Sequence, residues 1–278
     1  MRIPNRCEVT RTFSETDAFA HASELYCDWV KHNTPPPSVE IVSDLENKVF
    51  RPAVELLLAG LSMLGDRDMK APTNLVSSFA CFSVDHLLWG WFAAVNFHPR
   101  IAFSLSRSAL EASIFAIAAT VDYSQFKSIW DTRRGTGGFI LNELKKSTTI
   151  PKNLLWFLDS AWQVMKKLGH ASNGPVLSAM TTFTEGEERK TGITFAGQFG
   201  GSLDAWQLQN CVNAFCLAAT AGVEAMNMGL KPLFPYSKEW SRRFCEFQEQ
   251  QNKQEPVSDY LVDHVDKFRR YFGERPDK

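Results

Sequence analysis

The sequence predicts an all-α protein: an antiparallel helical bundle with a small β-hairpin insertion and a C-terminal helical extension. Three observations carry that prediction. Two long, nearly uncharged stretches, Thr73 to Phe97 and Ile101 to Val121, are joined only by His98-Pro99-Arg100. A third, within Leu203 to Leu230, carries Glu224 as the only charge between Cys211 and Met228. The flanking segments repeat apolar residues at helical spacing, and one short region alone has the look of paired strands.

Along the chain, Ser14-Glu15-Thr16-Asp17 resembles a capping box, and Phe19, Leu25, Tyr26 and Trp29 follow at roughly helical spacing. This helix ends before Pro35-Pro36-Pro37. A second runs from Ser38 to Leu64, with Pro52 kinking or breaking it. The two apolar stretches come next. Each spans roughly 30 Å or more as a helix, and their short connection makes them antiparallel neighbours. Ser124 to Arg134 is helical and is broken by Gly135-Thr136-Gly137-Gly138, after which the helix resumes to Ser147. Pro151 opens a helix that stops at Gly169. Leu177 to Thr184 and Thr191 to Phe199 flank Glu185-Gly186-Glu187-Glu188 as a hairpin, placed near residues 178–199. After the helix from Leu203 to Leu230, charge density rises past Pro235. Two amphipathic helices, Lys238–Lys253 and Pro256–Phe272, complete the chain, and Val257, Leu261, Val265, Phe268 and Phe272 lie near one face of the last. The division is therefore a bundle over 1–235 and an extension over 236–278.

Of the 278 residues, 44% are hydrophobic and 22% charged, enough to bury a sizeable core. The net charge of −1 gives no footprint for non-specific nucleic-acid or membrane-surface binding. The cysteines, Cys7, Cys27, Cys81, Cys211, Cys216 and Cys245, form no C-x-x-C pair and no zinc spacing, so reduced thiols and no metal are expected. No H-E-x-x-H, G-x-S-x-G or dinucleotide fingerprint is present, and no cofactor is expected. Met1 to Thr12 has no apolar core of a signal peptide. A transmembrane hairpin is the competing reading of the two apolar stretches. Charges near the middle of both would each cost about 2.5–3.5 kcal/mol in a membrane, which favours a cytoplasmic protein with no membrane partner.

Those charges are the candidate functional residues. Arg107 and Glu111 share one helix face at i, i+4, among the apolar residues Phe103, Ile114 and Ala118. A buried guanidinium cannot deprotonate and needs acceptors for five donors. Glu111 supplies one acceptor, and Asp85 and Glu224 are candidates for others. Such a network either fixes helix register or lines a pocket in which Arg107 holds an anion or carbonyl. Glu224 stands close to one stripe with Asn213, Leu217 and Thr220 and is expected to meet the same network. Asp85 and His86 point about 100° apart, so only one can face a given neighbour. His86 is either a satisfied core histidine or a base. His170 lies in the loop Gly169-His170-Ala171-Ser172-Asn173-Gly174-Pro175, as a helix cap or as a site residue. Arg133-Arg134-Gly135-Thr136-Gly137-Gly138 sets cations beside a Gly-rich turn, an anion seat in principle and a simple helix break otherwise.

Arg107-Ser108-Ala109-Leu110-Glu111-Ala112, Val121-Asp122-Tyr123 and Leu168-Gly169-His170-Ala171-Ser172, followed by the hairpin and the long last helix, resemble uncharacterised bacterial all-helical proteins loosely related to the HEPN group and to abortive-infection proteins. The resemblance covers roughly residues 75–230. It implies a metal-independent ribonuclease that self-associates, with His170 as general acid or base and Arg107 on phosphate. In HEPN ribonucleases four to six residues separate the Arg from the His. None of the six histidines here has an arginine five to seven positions before it. A site of that kind needs the fold to join Arg107 to His170. The other reading is a structural or binding module, self-associating, that receives RNA or a small anionic ligand.

Overall fold

The structure is a computed structural model that describes residues 14–32, 46–64, 71–95, 99–132, 137–169, 180–185, 188–193, 205–235 and 237–253. In chain order these form α1 (Glu15–His32), a π-helical turn (Glu46–Phe50), α2 (Arg51–Leu64), α3 (Thr73–Val95), α4 (Pro99–Val121), α5 (Tyr123–Asp131), α6 (Gly137–Leu144) and α7 (Lys152–Gly169). There follow β1 (Met180–Glu185), β2 (Glu188–Ile193), α8 (Ala205–Gly229), a 3-10 turn (Lys231–Leu233) and α9 (Lys238–Lys253). The protein is all-α in its described core. The two strands pair antiparallel, with Met180 opposite Ile193.

Local chemistry sets the helix starts. Ser14 Oγ accepts from the Asp17 backbone N–H at 3.2 Å and donates to the Asp17 carboxylate at 2.6 Å, so the expected cap of α1 is formed. Asp122 caps α5 by accepting from Gln125 N at 2.9 Å. The π-helical turn Glu46–Phe50 runs directly into α2 at Arg51, so Pro52 stands where the helix changes type, the break expected of a residue that cannot donate to the preceding turn.

Among the described elements α3 and α4 contact each other most extensively, and α8 packs on both. Ser83 on α3 reaches Ala109 and Ser113 on α4, whereas Gly90, further along α3, lies against Leu105, earlier on α4. The two helices are therefore antiparallel. On α8, Phe215, Gly222 and Gly229 meet Gly90, Ser83 and Val76, so α8 also runs against α3. Serines interrupting the apolar runs are buried without penalty, because Ser113 Oγ donates to Ala109 O at 2.9 Å and Ser106 Oγ to Phe103 O at 3.1 Å. Among the described residues one helical stretch, Ile101–Val121, is long and apolar enough to cross a membrane, and most of it is buried.

Lys238–Lys253, read from the sequence as part of an extension, packs into the same core. Trp240 is fully buried and its Nε1 donates to Leu56 O at 3.0 Å. The N-terminus of α9 is capped from α1, where Glu15 Oε1 accepts from Trp240 N.

Candidate functional site

The expected convergence of charges inside the bundle does not occur; the helices aim them in three directions. Arg107 and Glu111 face α6 and α7. The Arg107 guanidinium lies over the Trp162 ring of α7, 5.2 Å from its centroid, within cation–π range. No carboxylate among the described residues comes within ion-pair distance of it. Glu111 is half-buried and turns to the N-terminus of α6, where Oε1 accepts from Gly137 N at 2.5 Å. One carboxylate thus takes an orphan N–H at the positive end of the helix instead of the cation one turn away.

The same bond decides the role of the Gly-rich segment. Its described part, Gly137 and Gly138, opens α6, and the place an external anion would take at Gly137 N is held by Glu111. The glycines also allow close packing. A Cβ on Gly137 would stand 2.8 Å from Trp162 Cζ3 and 2.9 Å from Glu111 Cγ, and one on Gly138 would stand 2.9 Å from Trp162 Nε1. Trp162, 6% exposed, is therefore the centre of a junction between α4, α6 and α7. Ser106 Oγ reaches Met165 Sδ at 3.5 Å beside it, a second contact between α4 and α7.

Asp85 and His86 sit on the outer side of α3, away from the core side marked by Ser83, Leu87 and Gly90. Asp85 is exposed, which removes it from any buried network. His86 is half-buried. Its Nδ1 is 2.9 Å from Phe82 O and its ring stacks on Phe82 with centroids 3.8 Å apart, so the Nδ1–H tautomer leaves Nε2 as an acceptor. Together with Trp89, Phe92, Ile101 and Leu105 they line an open groove of about 420 Å³ between α3 and α4. The groove is apolar apart from these two polar residues.

Glu224 does not join Arg107 either. It receives a hydrogen bond from Gln248 Nε2 of α9 at 2.8 Å. Burial pushes its carboxyl above the ordinary range, and the Gln248 bond offsets this in part. Asn213 belongs to α8, eleven residues before Glu224, but its side chain lies outside the described residues, as does His170 altogether. Burial drives the Cys216 thiol up to about 12, which makes it an inert core residue. No group of three or more His, Cys, Asp or Glu side chains able to hold a metal occurs among the described residues.

Sequence reading overlooked Trp162 as a partner of Arg107, and Gly137 and Gly138 as packing glycines. The only prior signal was a Gly-Gly pair at a helix start, with nothing to connect it to an indole 24 residues later. No family model matches the chain, and neither does any curated protein or solved structure.

Proposed function

We propose that the chain is a binding module, an antiparallel helical bundle with a β-hairpin insertion and a C-terminal extension, that takes an anionic ligand at Arg107. One observation carries this reading. The guanidinium is half-buried and held over Trp162, yet no described residue offers it a hydrogen-bond acceptor. A planar fork of five donors, oriented by stacking and unclaimed by carboxylate, suits a phosphate or carboxylate in two-point contact. Glu111 is engaged by Gly137 N and does not compete for it.

The ribonuclease implied by the resemblance would also use Arg107, but it needs His170 beside it. The sequence lacks the Arg-to-His spacing of that family, since none of its six histidines has an arginine five to seven positions before it, and this favours binding over cleavage.

Calorimetric titration of the full chain with inorganic phosphate, adenosine monophosphate and a short single-stranded RNA tests the proposal. Wild type is expected to bind at least one probe, and Arg107→Ala to bind it roughly 10- to 100-fold more weakly, the worth of a charged hydrogen bond. Arg107→Lys keeps the charge and recovers part of the loss. Equal affinity in wild type and Arg107→Ala removes the reading, as does the absence of binding to all three. RNA cleavage by wild type that Arg107→Ala abolishes would put the enzyme in its place.

A further inference from the structure

The groove between α3 and α4 stands apart from the anion site, since neither Arg107 nor Trp162 lines it. Its polar and aromatic groups suit a ligand of the opposite charge. Trp89 and Phe92, about one turn apart on α3, form an aromatic corner: their rings are inclined at 87° with centroids 6.1 Å apart. Rings set at such an angle can both turn faces to one bound group, and those faces attract a cation. Ile101 and Leu105 of α4 supply aliphatic wall, and Ile101 is 53% exposed, so this wall is open to a ligand.

The two polar residues select the same kind of ligand. Asp85, one turn before Trp89, brings a carboxylate that no cation pairs among the described residues. The His86 ring is fixed by its stack on Phe82, and its Nδ1–H is spent on Phe82 O at 2.9 Å. Nε2 is then an acceptor. A group held between a carboxylate and this nitrogen has to donate hydrogen bonds, as the N–H bonds of an ammonium do. A hard metal ion fits poorly, because it asks for several oxygen ligands and Asp85 is the only carboxylate lining the groove. The remaining surface is apolar, and the volume of about 420 Å³ is that of a site for a small organic molecule.

We infer that the α3–α4 groove binds a free organic amine in its protonated form. The ammonium donates to Asp85 and to His86 Nε2 beside the faces of Trp89 and Phe92, and the hydrocarbon body lies on Ile101 and Leu105.

Calorimetric titration of the full chain with phenethylamine, near neutral pH where the amine is charged, tests it. Wild type is expected to bind this probe. Phenethyl alcohol, with the same body and no charge, should bind roughly 10- to 100-fold more weakly, the worth of a charged hydrogen bond. Asp85→Asn should weaken phenethylamine binding to a similar degree, and as Asp85 is exposed the amide does not threaten the fold. Trp89→Leu removes one ring face and should cost roughly 2- to 30-fold. Butylamine carries its charge on a chain like that of lysine, and without the aromatic body it should bind about tenfold more weakly or worse. The inference is overturned by failure of phenethylamine to bind, by equal binding of the alcohol, or by an Asp85→Asn variant of unchanged affinity. Butylamine bound as tightly as phenethylamine also overturns it, and would assign the groove to a lysine side chain of a protein partner.

Discussion

Replacing Gly137 with alanine places a methyl group where three helices meet. The added carbon would stand 2.8 Å from Trp162 Cζ3, 2.9 Å from Glu111 Cγ and 3.0 Å from Glu111 Oε1, against an ordinary carbon–carbon contact of about 3.5–4.0 Å. Two relaxations are open, and both cost. Moving Trp162, which is 6% exposed and stacked under Arg107, disturbs packing at about 1–3 kcal/mol. Swinging Glu111 away gives up its bond to Gly137 N, a charged hydrogen bond worth about 1.5–3 kcal/mol. The helix-propensity gain of alanine over glycine is at most about 1 kcal/mol and is smaller at a helix start, where glycine is tolerated. The net expectation is a loss of about 1–2 kcal/mol. For a chain of this size that lowers the melting temperature by roughly 2–8 °C. Urea denaturation followed by far-UV circular dichroism measures it. In a Glu111→Ala background two of the three close contacts vanish, so the same substitution should cost less there, with a coupling of at least about 0.5 kcal/mol. Unchanged or increased stability of Gly137→Ala, or strict additivity with Glu111→Ala, would refute the account of this junction.

Two further outcomes follow from the core. Glu224→Gln keeps an acceptor for Gln248 Nε2 and removes a carboxyl that burial raises above the ordinary carboxylate range. A raised carboxyl contributes stability that is complete below about 4.5 and lost as pH climbs through the folded value, so the variant should be more stable than wild type at pH 7 and equal to it near pH 4. The same gain at both pH values would contradict burial as the cause. Gly90→Ala should cost about 1–3 kcal/mol, because its Cβ would meet the Phe215 ring at 2.3 Å and that ring is held edge-on by Phe50 and Trp91. Gly60→Ala meets the flexible thioether of Met226 and should cost less. Thermal melts that rank Gly60→Ala as the more damaging would reject this ordering.

Much of the fold was legible because helix signals are local. The Ser14 cap, the break after Val121 and the stop at Gly169 are short-range chemistry, and the apolar runs on either side of Pro99 announced an antiparallel pair. The break at Pro52 is local as well: the helix changes there from a π turn to α2. The site was another matter. The sequence by itself determined that Arg107 and Glu111 share a face and that Glu224 is the only charge between Cys211 and Met228. Only the tertiary structure decided their partners. Glu111 turns to Gly137 N, Arg107 to Trp162, Glu224 to Gln248 and Asp85 to solvent. The reason is rotational: helical spacing tells which residues point together, whereas the neighbour a face meets depends on how each helix is turned about its axis. That rotation is set by where packing glycines such as Gly90 and Gly137 admit an aromatic ring, a pairing between residues far apart in the chain that no local pattern records.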